Sequence, residues 1–171
     1  ATWKVVSADL PLSAPSNRAT DLDGPCNFDD GLPLGREPEI ARVLSALKRH
    51  GVRNVVWITA DVHYTAAHRY EPERAAYADF DPFWEFVSGP IAAETFPPKD
   101  DLLDQTFGPR VVFSKGNDSG ERQSPRVGNQ FFGHVQVAAT GELTVTLYDG
   151  TGASLWSQVL EPEEQERTGR A

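Results

Sequence analysis

The fold of this chain is decided by Arg53-Asn-Val-Val-Trp-Ile-Thr-Ala-Asp-Val-His-Tyr64. The apolar run at residues 55–58 has the length and the β-branched content of a buried strand. Asp61 and His63 follow at once, where the strand opens into a loop. Because α/β folds place their chemistry at the carboxyl ends of strands, this carboxylate and imidazole indicate a metal site. The alternative is that Asp61 caps a turn and His63 is an ordinary half-buried histidine.

The segment before this strand has the pattern of an amphipathic helix over residues 37–50. Pro38 fits the first turn of such a helix, and Gly51 follows as a stop signal. The apolar stripe consists of Ile40, Val43, Leu44 and Leu47. A helix, a short link and a buried strand form half of an α/β unit, so we expect this helix to cover a sheet.

Short apolar or alternating runs, separated by Gly, Pro and Asp turns, indicate further strands. A first strand at residues 3–7 ends near Asp9. The other predicted strands lie at residues 83–87, 111–113, 131–138, 143–148 and 155–160. Short turns at residues 141–142 and 149–150 join the last three strands, which favours a closing antiparallel meander.

The composition is typical of one globular domain. A chain of 171 residues, with 39% hydrophobic and 24% charged residues, can bury one sizeable core. Its net charge of −9 argues against affinity for nucleic-acid backbones. No apolar run approaches the ~18 residues that span a bilayer, so we expect no membrane insertion. Cys26 is the single cysteine, which excludes an internal disulfide.

Two acidic segments are predicted to lack regular structure. Residues 11–35 form a long irregular loop rich in Pro, Gly and acids. Its acids are Asp21, Asp23, Asp29 and Asp30. They lack the spacing and the closing glutamate of an EF-hand, so a calcium loop of that type is not expected. The domain is predicted to span residues 1–162, followed by an acidic and frayed tail at residues 163–171.

Five further motifs stand in a fixed order around the segment 59–64. They are Gly35-Arg-Glu-Pro-Glu-Ile-Ala-Arg42, Tyr64-Thr-Ala-Ala-His68, Asp81-Pro-Phe-Trp-Glu-Phe-Val-Ser-Gly-Pro90, Thr106-Phe-Gly-Pro109 and Gln130-Phe-Phe-Gly-His134. Their order and spacing resemble the C-terminal half of PhoD-like alkaline phosphatases, a branch of the calcineurin-like metallophosphoesterases. The resemblance covers about residues 3–162, and the segments 59–64 and 83–90 are its most specific parts.

The resemblance implies an α/β fold, the C-terminal half of a calcineurin-like metallophosphoesterase sandwich, with a mixed sheet and a closing antiparallel meander. It also implies a metal-dependent phosphoric ester hydrolase of the alkaline phosphatase or phosphodiesterase type. Such an enzyme acts through a metal-bound hydroxide and needs no protein nucleophile. The substrate is then a phosphate ester.

The site residues follow from the family's last metal motif, Gly-His-x-His, in which PhoD-like proteins carry Asp in place of the first histidine. Residues 60–63 match this motif, with Ala60 at the usual Gly. By this match the resemblance implies that Asp61 and His63 are metal ligands or direct neighbours of the metals. The resemblance implies Ca and Fe as the metals, with Zn, Mn and Mg left open by the donor types.

Four other polar residues carry weaker signals. Asp9 lies where the superfamily's fourth motif has a ligand, so it is a third candidate metal ligand, or else a strand-end turn former. His68 lies close enough to the motif to hydrogen-bond a ligand or the substrate. His134 is either a further ligand or the polar face of a half-buried strand. Glu85, between two aromatic residues, either points away from the core or is buried with a partner.

The first three metal motifs of the superfamily have no match before residue 61. The resemblance therefore predicts that the chain supplies part of the metal site and that an N-terminal half of the same protein completes it. The isolated chain is then a weak catalyst. One helix cannot cover both faces of a buried sheet, so we expect apolar surface against that partner. The family implies export. The alternative is a non-catalytic binding or interaction domain that retains the fold.

Overall fold

A computed structural model describes residues 1–14 and 24–163. Within these ranges the chain forms one α-helix and eight strands. The helix is α1 (Glu37–Arg49), and the strands are β1 (Lys4–Ser7), β2 (Val55–Thr59), β3 (Thr65–Tyr70), β4 (Phe83–Val87), β5 (Pro109–Lys115), β6 (Phe131–Val137), β7 (Leu143–Asp149) and β8 (Ser154–Leu160). Single turns of 3₁₀-helix lie at Pro72–Arg74, Asp100–Leu102 and Pro125–Val127. No helix in these residues is long and apolar enough to cross a membrane.

A five-stranded mixed sheet has the order β1-β2-β4-β3-β5. The strands β1, β2 and β4 run parallel, whereas β3 is antiparallel to both β4 and β5. The strands predicted near residues 3–7, 55–58 and 83–87 are present, and the short run 111–113 is the centre of a longer β5. The sequence did not predict β3, because Thr65-Ala-Ala-His-Arg-Tyr70 has no apolar run. Its neighbours on both sides supply the hydrogen bonds that make it a strand.

The strands β6, β7 and β8 form a separate antiparallel sheet. In the first of its turns the amide of Gly141 donates to the carbonyl of Ala138 at 3.0 Å. In the second turn a carboxylate oxygen of Asp149 accepts the amides of Thr151 at 2.9 Å and Ala153 at 3.0 Å. The antiparallel meander predicted from the sequence is therefore confirmed.

Both faces of the mixed sheet are covered. Alternation along β2 sends Val56 and Trp57 to opposite faces, and both side chains are buried. Val56 packs with residues of the antiparallel sheet, among them Leu143 and Val145. Trp57 packs with α1 through Leu44 and with other core residues. The antiparallel sheet thus covers the face of β2 that the single helix leaves open, and the expected apolar surface against an N-terminal half stays a prediction.

The apolar stripe of α1 differs slightly from the predicted one. Ala41 and Leu44, three residues apart, are buried, whereas Val43 is 45% exposed. One residue corresponds to a rotation of about 100° around the helix axis, so Val43 faces away from the sheet that Leu44 contacts. The helix ends at Arg49, and Gly51 follows in the left-handed conformation with φ +61°. The acidic first turn and basic last turn complement the helix dipole.

Candidate metal centre at the carboxyl edge of the sheet

The three parallel strands end at one edge of the mixed sheet, and polar residues follow each of them. The amide of Ala60, after β2, donates to the carbonyl of Asp9, after β1, at 2.8 Å. On the other side of β2, the amide of Ser88, after β4, donates to the carbonyl of Thr59 at 3.0 Å. The structure therefore places Asp9 beside the segment that carries Asp61, at the edge where parallel sheets usually hold ligands.

The segment Ala60-Asp-Val-His63, which we call the 60–63 turn, has an uncommon backbone. Asp61 and His63 both have φ +63°, in the left-handed region that non-glycine residues seldom adopt. Between them, Val62 is 2% exposed and packs in a core cluster. Asp61 is exposed and His63 is half-buried. The buried valine anchors the turn, and residues in such backbone conformations occur often at functional sites.

His63 is held against a neighbouring loop. Its ring stacks on Phe96 with centroids 5.2 Å apart, and its carbonyl accepts the amide of Phe96 at 3.0 Å. The Nδ1 atom of His63 is sealed from solvent and has no hydrogen-bond partner among the described residues. A buried imidazole nitrogen without a partner fits a metal ligand, since neutral imidazole binds metals through a free nitrogen.

His68 lies in the interior, away from this edge. It is fully buried on β3, and its Nδ1 atom lies 3.0 Å from an oxygen of Glu85 on β4. Its Nε2 atom is sealed and has no partner in the described part of the chain. The hydrogen bond to a substrate or ligand that the sequence suggested has no support at this position.

Glu85 is the centre of a buried hydrogen-bond network. Its Oε2 atom accepts the Tyr70 hydroxyl at 2.8 Å and lies beside His68, and its Oε1 atom accepts the amide of Leu12 at 2.9 Å. Burial, aided by the charge of Glu85, raises the pKa of Tyr70 well above its usual value, so this hydroxyl remains a donor. We call these residues the Glu85 network. Of the two sequence alternatives for Glu85, the structure shows the buried one.

The family is decided by a match over most of the chain. The family model for PhoD-like phosphatases matches residues 1–147. The chain belongs to the PhoD-like phosphatase family. This confirms the resemblance drawn from the sequence motifs, and the family points to a metal-dependent phosphatase.

Comparison with solved structures and with curated proteins adds two facts. A solved structure of PhoD is similar, with 15% sequence identity and a TM-score of 0.41, over 98% of this chain and 33% of the PhoD chain. The chain thus spans about a third of the length of that protein. No curated protein matches the chain.

A second set of possible metal ligands, which the sequence did not predict, lies away from the 60–63 turn in sequence. Asp29, Glu37 and Asp104 each offer a carboxylate oxygen, and these oxygens lie within 4.8 Å of one another. Carboxylate oxygens suit hard cations such as Ca²⁺ or Mg²⁺, so this acidic group could hold a metal in a metal-dependent family. No local signal announces it, because Asp104 lies 75 residues from Asp29.

Backbone amides already donate hydrogen bonds to two carboxylates of this acidic group. Asp104 accepts the amides of Asp29 at 3.2 Å and Thr106 at 2.8 Å. Glu37 accepts the amides of Asn27 at 2.8 Å and Leu34 at 3.0 Å. These bonds fix the loop before α1 whether or not a cation binds. Burial and the Asp104 charge also raise the pKa of the nearby Cys26 to about 12, so its side chain stays a neutral thiol.

The remaining predicted residues lie elsewhere. His134 is exposed on β6, opposite Thr146 of β7, and is not brought to the 60–63 turn by a described contact. Asp21 and Asp23 of the irregular loop lie outside the described residues. Of the predicted acidic tail, Glu163 exchanges two hydrogen bonds with Asn54 at 2.7 and 2.9 Å. Residues 164–171 also lie outside the described part.

Proposed function

We propose that this chain forms one wall of a metal-dependent phosphoesterase site at the carboxyl edge of the mixed sheet. The observation that carries this proposal is the 60–63 turn. It joins an exposed carboxylate at Asp61 to an imidazole at His63 whose buried Nδ1 atom has no described partner. Membership of the PhoD-like phosphatase family supplies the reaction class, hydrolysis of a phosphate ester.

Asp61 and His63 would hold a metal ion here, with Asp9 as a third ligand from the adjacent strand. A bound metal ion polarises a phosphoryl oxygen and lowers the pKa of water, so no protein nucleophile is needed. The protein's own part is to fix these side chains. The Ala60–Asp9 hydrogen bond holds the two loops together, Val62 anchors the turn in the core, and Phe96 sets the plane of the His63 ring.

The finer features of this proposal rest on the family resemblance. They are the calcineurin-like sandwich, the place of the chain as its C-terminal half, and completion of the metal site by an N-terminal half of the same protein. The substrates would be phosphomonoesters or phosphodiesters, the metals Ca and Fe, and the location outside the cytoplasm. Two or three ligands hold a metal weakly, so we expect the isolated chain to be a poor catalyst.

Metal binding is the direct test of the 60–63 turn. Calorimetric titration of the chain with Ca²⁺, Mn²⁺ and Zn²⁺ should show that Asp61→Asn and His63→Asn each weaken binding at least tenfold, since each removes a ligand. Asparagine tolerates the left-handed backbone, so these changes leave the turn intact. The matched controls are Asp118→Asn and His134→Asn, which alter an exposed carboxylate and an exposed imidazole elsewhere. Equal affinity in all five proteins would refute the assignment.

The rival function is a non-catalytic binding domain. Hydrolysis of 4-nitrophenyl phosphate and bis(4-nitrophenyl) phosphate by the purified chain, with each metal added, separates the two. We expect slow hydrolysis that depends on metal and is abolished by Asp61→Asn. Metal binding without any hydrolysis above the Asp61→Asn level would favour the binding domain.

A further inference from the structure

A cavity of about 500 Å³ opens beside the start of β6. Its apolar wall includes Ile91, Phe132 and Leu155, and its polar rim includes Lys115 and Gln130. Sites for small organic ligands are usually clefts of about this size, with mostly apolar walls and a few polar groups. None of the metal-ligand candidates described above lines this cavity.

We propose that this cavity binds the aromatic leaving group of the phosphate ester whose phosphate lies at the 60–63 turn. The proposal rests on the proposed function and adds a substrate class to it, esters of aromatic or aryl-substituted alcohols. The phosphate group of the ester would remain outside the cavity.

The wall of the cavity favours a flat ring. Phe132 is 39% exposed and stacks on Tyr148, with ring centroids 5.1 Å apart and planes at 11°. Phe132 lines the cavity and its ring is held by this stacking, so a planar ligand there gains contact with an aromatic ring as well as burial. Ile91 is 78% exposed, so a large aliphatic side chain of the cavity lining stands in water until a ligand covers it.

The charges at the rim accept a phosphate ester. Lys115 donates to both oxygens of Asp118 at 2.9 Å, but Asp118 is 87% exposed, so this surface pair leaves the ammonium accessible to a stronger anion. The acid that lines the cavity, Asp149, makes its hydrogen bonds within its own turn. Its carboxylate accepts the side chain of Thr151 and nearby amides, and these bonds lower the pKa of Asp149.

The cavity lining is connected to His63 through the segment Thr95–Phe96. The amide of Phe96 donates to the His63 carbonyl. The adjacent Thr95 donates from its hydroxyl to the carbonyl of Asn129 at 2.8 Å and accepts the Gln130 side-chain amide at 3.2 Å. Asn129 and Gln130 line the cavity. Hydrogen bonds through residues 95–96 therefore connect the cavity lining to the backbone of His63, the residue at which the phosphate of the ester would be bound.

The test uses three probes with the full chain. 1-Naphthylmethanol represents the aromatic leaving group alone. 1-Naphthylmethylphosphonate adds a phosphonate group that stands in for the phosphate, and its C–P bond resists hydrolysis. Methylphosphonate has the phosphonate group without the ring. Amide spectra of the ¹⁵N-labelled chain report both the affinity and the place of binding, with and without Ca²⁺.

We expect 1-naphthylmethanol to shift the amides of residues 128–132 and 149–151, and the naphthyl phosphonate to bind at least tenfold more tightly than methylphosphonate. Ile91→Asp and Phe132→Ser should each remove most of this advantage. The matched control is Val43→Asp, because Val43 is another exposed aliphatic residue, on α1 and outside the cavity. Thermal unfolding confirms that each variant is folded.

The outcomes separate this proposal from the proposed function. If the naphthyl group gives no advantage, shifts other amides, or is unaffected by both cavity variants, the leaving-group site is refuted. If ring binding is lost in the cavity variants but Ca²⁺ and Asp61→Asn have no effect on the phosphonate, the cavity binds aromatic alcohols and the metal site fails. Loss of affinity in both sets of variants supports both proposals.

Discussion

The Glu85 network and the 60–63 turn place polar groups in opposite situations. At the middle of the sheet, Glu85 receives a hydroxyl and a backbone amide and contacts an imidazole, all from the same chain. At the edge, the Nδ1 atom of His63 is just as sealed, but no described residue bonds it. Buried polar atoms without partners are rare in native folds, because desolvation costs about 1–3 kcal/mol.

The difference indicates how to separate structural from functional polar residues in this chain. A polar side chain whose partners lie within the chain is retained for packing, whatever its residue type suggests. A polar side chain held by stacking, in a strained turn, with an unpaired atom is a candidate for a functional role. The Nε2 atom of His68 is sealed without a described partner as well, so the unpaired atom alone does not separate the two histidines. His68 is assigned to the core by its full burial and its contact with Glu85, and His63 to the candidate site by its strained turn at the sheet edge.

The largest effect should follow from breaking the Glu85 network. Glu85→Ala leaves the Tyr70 hydroxyl, the His68 ring and the Leu12 amide buried without their acceptor, and we expect a loss of about 3–5 kcal/mol in the free energy of unfolding. Urea unfolding measures it. The control is Glu94→Ala, which removes an exposed ion pair with Arg122 and should cost less than about 1 kcal/mol. Similar losses in both variants would mean that the network does not stabilise the fold.

The second prediction concerns the support of His63. Phe96→Ala removes the ring on which the imidazole stacks, so His63 loses its fixed orientation. Groups that orient a metal ligand typically contribute 10–100-fold to metal affinity, and we expect about a tenfold loss here. Calorimetric titration with Zn²⁺ measures it. Phe96→Tyr keeps the stacking and should bind normally. Unchanged affinity in Phe96→Ala would show that the stacking is structural.

Much of the fold could be predicted from the sequence, because its main strands carry their own pattern. The segments that form β2 and β4 are apolar and consist mainly of β-branched or aromatic residues. Pairing with neighbouring strands sets only their exact end residues. In contrast, β3 is a strand because β4 and β5 flank it, and that fact lies in pairing across the chain. Its small Ala66 and Ala67 are fully buried, which no local hydrophobic pattern indicates.

The candidate site also has residues that could be predicted from the sequence and residues that could not. The Asp61 and His63 pair could be predicted because both residues directly follow one strand, where the chain must leave the sheet. The Phe96 contact and the acidic group of Asp29, Glu37 and Asp104 could not, because they join distant segments through loops. His68 was misleading for the same reason, since its partner Glu85 lies 17 residues away.

The third prediction tests the strain in the 60–63 turn. Alanine at position 61 must adopt φ near +63°, which costs about 1 kcal/mol for a residue with a Cβ atom, whereas glycine adopts it freely. We therefore expect Asp61→Ala to be about 1 kcal/mol less stable than Asp61→Gly in chemical unfolding. The same pair of substitutions at exposed Asp118, which is not among the positive-φ residues, should favour alanine or show no difference. Equal stabilities of the position-61 pair would mean that the turn relaxes.

The smallest effect concerns the acidic group of Asp29, Glu37 and Asp104. Burial raises the pKa of Glu37, partly opposed by the amides of Leu34 and Asn27. The folded chain thus holds this proton more tightly than the unfolded chain does. The resulting stabilisation is fully present below the ordinary glutamate pKa and is lost as the pH rises through the raised value. The free energy of unfolding should therefore fall more steeply with pH in the native chain than in Glu37→Gln.

The slope is the quantity to compare, because glutamine keeps only one of the two accepting oxygens of Glu37. Its NH2 group cannot accept the bonds made to the other oxygen, and this shifts the free energy of unfolding at every pH. Urea unfolding from acid to neutral pH gives both slopes, with Glu39→Gln, an exposed change in the same helical turn, as the control. Identical slopes would remove Glu37 as the cause. Repeating the series with Ca²⁺ then distinguishes the two regions. If Asp29, Glu37 and Asp104 bind the cation, it displaces the proton and stabilises the chain most near neutral pH, even in Asp61→Asn; if the edge alone binds it, this stabilisation disappears with Asp61.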